Sequence, residues 1–180
     1  MRLSNLELCL GKLLLSDENR ATAFDIDGDQ EEFSGGQFRE IFDRLRRSPH
    51  QEAIHAFSVA HADSTVGFFV LREAPALPDW AFPGVMTLHN FRISRQFQRQ
   101  GLGAATVRKM AQWVADNRPA VSQLMLSVNS GNEQALAFYR SCSFRATGVT
   151  LDGRISREMI MASEIAALLV DAELAARPLE

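Results

Sequence analysis

The residues Gln98-Arg99-Gln100-Gly101-Leu102-Gly103-Ala104 place two glycines, two amide side chains and an arginine between a strand-like run, Val85 to Ile93, and an amphipathic helical pattern. At a helix N-terminus the first backbone N–H groups lack intrahelical acceptors and the macrodipole is positive, so a phosphate there accepts several hydrogen bonds. Glycine keeps side chains out of that approach, and Arg95, Arg99 and Arg108 add positive charge near the same end. The chemistry on offer is the holding of a phosphate-bearing ligand; the plainer reading of Gly101 and Gly103 is a tight strand-to-helix turn. The pattern is not a dinucleotide fingerprint, because the third glycine is missing, and not a Walker loop, because no Gly-Lys-Ser/Thr follows.

The second informative stretch runs from Asn132 to Phe144 and contains the chain's single tyrosine. Ala135, Phe138, Tyr139 and Cys142 share one helix face, so Tyr139 reads as a core side chain by pattern alone. Asn132 reads as an N-cap, a contribution of about 1 kcal/mol that leaves room for a ligand contact. Taken together, Gln98-x-x-Gly101-x-Gly103 and Asn132-x-x-Ala135-x-x-Phe138-Tyr139-x-x-x-Ser143-Phe144 resemble the paired cofactor motifs of the GNAT superfamily of acetyl-CoA-dependent N-acetyltransferases.

That resemblance implies a role for each matching residue. Main-chain groups of Phe91, Arg92 and Ile93 would pair with the pantetheine arm of acetyl-CoA, and their N–H groups would stabilise the developing oxyanion. Gln98, Arg99, Gln100, Gly101, Leu102, Gly103 and Ala104 would cradle the pyrophosphate, and Asn132 would contact the cofactor or cap its helix. Tyr139 would protonate the leaving thiolate, a general-acid task worth about 10²- to 10⁴-fold in rate. Members of the superfamily often carry a carboxylate on the strand before the glycine motif, where this chain reads Thr87-Leu88-His89-Asn90. His89 is therefore the candidate base or water relay, its ordinary pKa near 6.5 suiting neutral pH, and its plainer reading is a hydrogen-bonded strand histidine. Glu73 is the second candidate base. Ser143 stands where the family has glycine, and a serine asks for ordinary backbone angles there.

The elements that must position these residues follow from periodicity. Leu6 to Leu15 suits a first strand, Ser16-Asp17-Glu18 opens a helix, and Phe38, Ile41, Phe42 and Leu45 mark a second helix that stops at Ser48-Pro49. Ala53 to Ala60 and Val66 to Arg72 form a hairpin, the proline-rich stretch Glu73 to Gly84 is a loop, and Val85 to Ile93 resumes as strand. A helix after Gly103, a strand Leu124 to Val128, a helix Asn132 to Cys142, and strands Phe144 to Leu151 and Ile155 to Met161 joined across Asp152-Gly153 complete the pattern. The expected class is α/β with a mixed sheet, a GNAT-like fold spanning 1–162. Residues 163–180 add a helical extension packed on the same domain or on a second copy.

At 180 residues the chain can bury a full core without disulfides or metal. A formal net charge of -3 offers no basic field for nucleic acid. Cys9 and Cys142 read as reduced core thiols, no signal peptide or membrane span is legible, and a cytoplasmic protein is expected. His50, His55 and His61 lack zinc-ligand spacing, and Asp25-Ile26-Asp27-Gly28-Asp29 fails as a calcium loop at Gln30 and Gly36. That acidic run, extended by Glu31 and Glu32, is read as a solvated loop or as an attractor of a cationic amine. Leu15 to Arg20 with Gln30 to Phe33 is similar to the opening of bacterial spermidine/spermine acetyltransferases, which puts polyamines first among acceptors. Amino acids, antibiotic amines, protein N-termini, a non-catalytic acyl-CoA-binding module and a homodimer stay open.

Overall fold

The computed structural model describes residues 8–17 and 28–174. The helix expected from about Glu18 lies outside the described residues. Strand β1 (Leu8–Leu13), helices α1 (Gly28–Phe33) and α2 (Phe38–Arg46), and strands β2 (Ile54–His61), β3 (Ser64–Arg72) and β4 (Met86–Ile93) make the first half. Helix α3 (Leu102–Asn117), β5 (Gln123–Asn129), α4 (Glu133–Ser141), β6 (Arg145–Asp152), β7 (Arg157–Glu164) and α5 (Ile165–Leu174) make the second. The strand order in the mixed sheet is β1-β2-β3-β4-β5-β7-β6. β4 and β5 pair in parallel, their ladder covering Met86↔Leu124 and Thr87↔Met125, whereas β1–β2, β2–β3, β5–β7 and β6–β7 pair antiparallel.

The chain divides into two compact units, Met1–Leu77 with Leu88–Thr106, and Pro78–Thr87 with Val107–Glu180. In the first, Phe38, Ile41, Phe42 and Leu45 occur at the spacing that places them on one stripe of α2, which packs on Leu13, Ile54, Ala56, Phe68 and Val70. Phe38 meets Phe68 edge-on at 5.3 Å between centroids. On the other face of the same strands Phe57 stacks on Phe69 at 5.0 Å, and Phe91 meets Phe69 at 6.4 Å. Burial on both faces explains why β2 and β3 read as nearly continuous apolar runs instead of alternating ones. Each buried phenylalanine contributes about 1.5–3 kcal/mol relative to exposure.

In the second unit β5 is buried through Leu124, Met125 and Leu126, and β7 contributes Ile160 and Met161. The β6–β7 loop is longer than the two-residue turn expected across Asp152-Gly153. Asp152 pairs with Arg157, and the Gly153 N–H donates to Ser156 O at 3.0 Å, so Ile155 leaves the strand and is 42 % exposed. The last helix starts at Ile165 because Ala162, Ser163 and Glu164 pair with Met125, Leu124 and Gln123. Ladder hydrogen bonds override the helical preference of that alanine, while Ile165 and Leu168 are buried from α5. Part of the expected acidic loop is α1, a helix of six residues.

Candidate active site

The first unit carries the glycine-bearing turn. After β4, the Ser94 N–H donates to Val66 O at 2.8 Å and a single 3-10 turn spans Arg95–Phe97. Gln98 Nε2 donates back to Ile93 O at 3.0 Å and Gln100 Nε2 to Gln96 O at 2.8 Å. These two amides brace the loop from within, so what they offer a ligand is main chain. Arg99 at φ +59° and Gly101 at φ +81° occupy the left-handed region, a backbone form that turns nearby N–H groups toward a common side. Helix α3 begins as the Ala105 N–H reaches Gly101 O at 3.0 Å, which leaves the N–H groups of Leu102, Gly103 and Ala104 among its first-turn donors. Leu102 is buried and anchors the turn, whereas Arg99, Gln100 and Gly101 are exposed. An open row of N–H donors at the positive end of a 16-residue helix, with no Cβ at Gly101, fits a diphosphate.

Tyr139 lies in the second unit, and its position is set by how α4 begins and ends. Asn132 caps the start, its Oδ1 accepting the Ala135 N–H at 3.0 Å. At the other end the Phe144 N–H donates to Tyr139 O at 3.0 Å and the Ser143 N–H to Arg140 O at 3.2 Å, the two bonds of a Schellman motif. The accompanying apolar contact is between Tyr139 and Phe144, whose rings meet edge-on at 5.6 Å. Backbone and ring of Tyr139 are thus both tied to the helix terminus. Burial, with Cys142 adding, pushes its phenol well above the ordinary tyrosine range, so the hydroxyl keeps its proton.

The Schellman motif corrects the expectation for Ser143. It does not adopt ordinary backbone angles: its φ is +68°, because the motif demands a left-handed residue after the cap. A side chain at such a position costs about 1–2 kcal/mol. Ser143→Gly is therefore expected to raise stability by roughly 0.5–1 kcal/mol, read as a higher denaturation midpoint at unchanged slope. An unchanged or lower midpoint would show that the serine is not strained.

Residues 18–144 match the model of the acetyltransferase (GNAT) family. This chain belongs to that family. A comparison with curated proteins finds no match. Among solved structures, aminoglycoside acetyltransferase AAC(6')-Ib in complex with coenzyme A is 16 % identical, with a TM-score of 0.72, covering 89 % of this chain and 96 % of that one. Spermidine N-acetyltransferase from Vibrio cholerae in complex with CoA and spermine is 17 % identical, with a TM-score of 0.66, covering 92 % and 99 %. At these identities the likeness is one of fold.

In this acetyltransferase the two candidate bases differ in environment. Burial, together with the charge of Arg72, lowers the His89 pKa to about 3, so its imidazole is neutral at physiological pH and a weak proton acceptor. Glu73 Oε1 is 2.7 Å from His55 Nε2, with His55 only 3 % exposed. Arg72 pairs with Ile54, whose side chain packs under α2, so Arg72 is on that face and the Glu73–His55 pair is on the other. The His89 shift also has a consequence for stability. A depressed folded pKa means the unfolded chain binds a proton the folded one refuses, so stability is lost as pH falls below about 6.5 toward 3. His89→Gln is expected to reduce that acid loss of Tm, and an identical pH dependence in both proteins would contradict the shift.

Two further β4 side chains were not singled out from sequence, where only the main chain of Arg92 was considered. Asn90 has φ +54° and interrupts the extended run between His89 and Phe91, and Arg92 is only 1 % exposed. The one legible signal was an arginine set between the apolar Phe91 and Ile93.

Proposed function

We propose that the acetyltransferase transfers the acetyl group of acetyl-CoA to a primary amine of a small molecule, with polyamines first among acceptors. The observation that carries this is the row of main-chain donors from Arg99 to Ala104, exposed at Arg99, Gln100 and Gly101 and opened by two left-handed residues at the head of α3. When bound, acetyl-CoA supplies an activated thioester. Residues Gln98 to Ala104 would hold its pyrophosphate, and main-chain groups of Phe91, Arg92 and Ile93 would align the pantetheine arm and stabilise the oxyanion. Asn132 orders the start of α4, and the Tyr139 hydroxyl, still protonated across the neutral range, would give its proton to the departing sulfur.

Of the candidate bases, Glu73 with its His55 partner is the better proton acceptor, because His89 holds a proton only in strong acid. His89 would act as a neutral hydrogen-bonding or water-ordering group. Loss of the acidic limb of kcat/KM in Glu73→Gln, with the limb retained in His89→Gln, is the expected result, and the reverse pattern would restore His89 as base.

A second reading, an acceptor amine that also bears a carboxylate, draws support from three arginines in the first unit. Burial, with the charge of Arg44 adding, lowers the pKa of both Arg72 and Arg92, which places the Arg44 guanidinium within electrostatic reach of each. Acetyl-CoA-dependent thiol release against spermidine, spermine, aminoglycosides and amino acids separates the two. Turnover with polyamines supports the first reading, turnover confined to amino acids the second, and acetyl-CoA binding without turnover would overturn both. A cytoplasmic homodimer belongs to the same proposal; exposed Val149 on β6 and Val170 on α5 are side chains such a contact would cover.

A further inference from the structure

The turn between α1 and α2 is held more firmly than its composition suggests. Ser34, Gly35 and Gly36 present three consecutive carbonyls, and a side chain occupies each. Asn90 Nδ2 donates to Ser34 O at 2.8 Å, and Arg92 Nη2 donates to Ser34 O and to Gly36 O, both at 2.9 Å. Arg44 Nη2 from α2 takes Gly35 O. The Gly36 N–H reaches Glu31 O at 2.8 Å, and the Gln37 N–H reaches Glu40 Oε2 at 3.3 Å. Exposed turns ordinarily leave such carbonyls to water.

Holding the turn this way carries clear costs. Gly35 and Gly36 take φ of +103° and +88° without steric cost, but Asn90, which is not glycine, is held at φ +54°. Arg92 lies under the Phe38 ring at 4.6 Å, and its Nε and Nη1 are buried with no hydrogen-bond partner. Burial and the nearby Arg44 charge lower its pKa to about 10, against the opposing pull of Glu31. Left-handed backbone and a partly unsatisfied buried cation persist only where the surroundings over-determine them, and such features gather at ligand clamps. The anchoring residues are informative in turn: Asn90 and Arg92 flank Phe91, on the strand whose main chain is assigned above to the thioester.

We propose that Asn90, Arg92 and Arg44 are positioning residues for the amine acceptor, clamping the Ser34–Gly36 turn onto β4 as a fixed wall of the acceptor site. This rests on the proposed acetyl transfer. The same strand presents side chains to the turn and main chain to the thioester, so the wall and the reacting carbonyl keep one register. Acceptor affinity and selectivity then depend on the clamp, whereas acetyl-CoA affinity does not.

The test uses the full chain with Arg44→Ala, Arg44→Lys and Gly35→Ala. The last leaves every donor in place, but its Cβ would collide with Asn90 Nδ2. In Arg44→Ala and Gly35→Ala, KM for the best amine is expected to rise about tenfold or more, with KM for acetyl-CoA unchanged and kcat altered much less. Arg44→Lys, which keeps a cationic donor, should recover most of the loss. Hydrogen exchange of residues 31–37 should accelerate in step with amine KM, a readout that needs no turnover. Equal rises in both KM values, or an unaltered amine KM once exchange has accelerated, would overturn the clamp's role. A wild type that acetylates no amine would instead sink the proposed activity. The clamp is then decided by calorimetric titration of spermidine and glycine into the CoA-loaded protein: weaker binding in Gly35→Ala supports it, and equal or absent binding overturns it.

Discussion

Tyr139→Phe is expected to lower kcat by about 10²- to 10⁴-fold while leaving the Kd for acetyl-CoA unchanged. The substitution removes one oxygen and keeps the ring that packs edge-on against Phe144 and Phe138. The Schellman hydrogen bonds use the Tyr139 carbonyl and survive, so the end of α4 should stay in place. A folding defect is separable by Tm. Because burial raises the phenol pKa, the proton is present throughout the neutral and mildly alkaline range, and the rate deficit should be constant from about pH 6 to 9. The same shift has a sign for stability. A folded phenol that ionises later than the unfolded one loses stability only above about pH 10, and the phenylalanine variant should lack that alkaline loss. Single-turnover thiol release checks the main claim, and a deficit below about threefold would return Tyr139 to the role of a core side chain.

Gly101→Glu is expected to weaken acetyl-CoA binding by about 100-fold or more. Three effects act together at this position. A Cβ at φ +81° strains the backbone by about 1–2 kcal/mol, the side chain fills the approach to the N–H donors, and its carboxylate repels a diphosphate. The negative charge also suits the positive helix terminus, so the variant carries its own competitor for the anion site while α3 remains folded. Gly101→Ala separates these contributions, since it brings strain and a methyl group without charge, and should fall between wild type and Gly101→Glu. Titration calorimetry with acetyl-CoA measures all three proteins. Equal affinity across the series would remove the residues from Gln98 to Ala104 from the cofactor site.

Much of this acetyltransferase was legible from local pattern, because the responsible forces act over a few residues. The stripe Phe38, Ile41, Phe42 and Leu45 follows from a period of 3.6, the Asn132 cap from an amide one turn ahead of Ala135, and the glycine-bearing turn from its place between strand and helix. Even where local reading erred, as at Ser143, the cause was local. The Schellman bonds at the end of α4 impose a left-handed residue that serine supplies in place of glycine.

What the tertiary structure decided are pairings between residues remote in sequence, which leave no periodic trace. Glu73 and His55 are 18 residues apart, and Asn90 and Arg92 reach the Ser34–Gly36 turn across 56 and 58 residues. Whether His89 can hold a proton depends on how deeply β4 is buried and on a guanidinium from β3. The start of α5 was decided by a ladder to β5 and not by alanine's helical preference. The sequence by itself determined the helix faces, the Asn132 cap and the glycine-bearing turn, since adjacent residues carry them. Charge burial, proton affinity and the anchoring of the turn waited on chain segments meeting in space, where desolvation and Coulomb forces depend on distance through the fold and not along the chain.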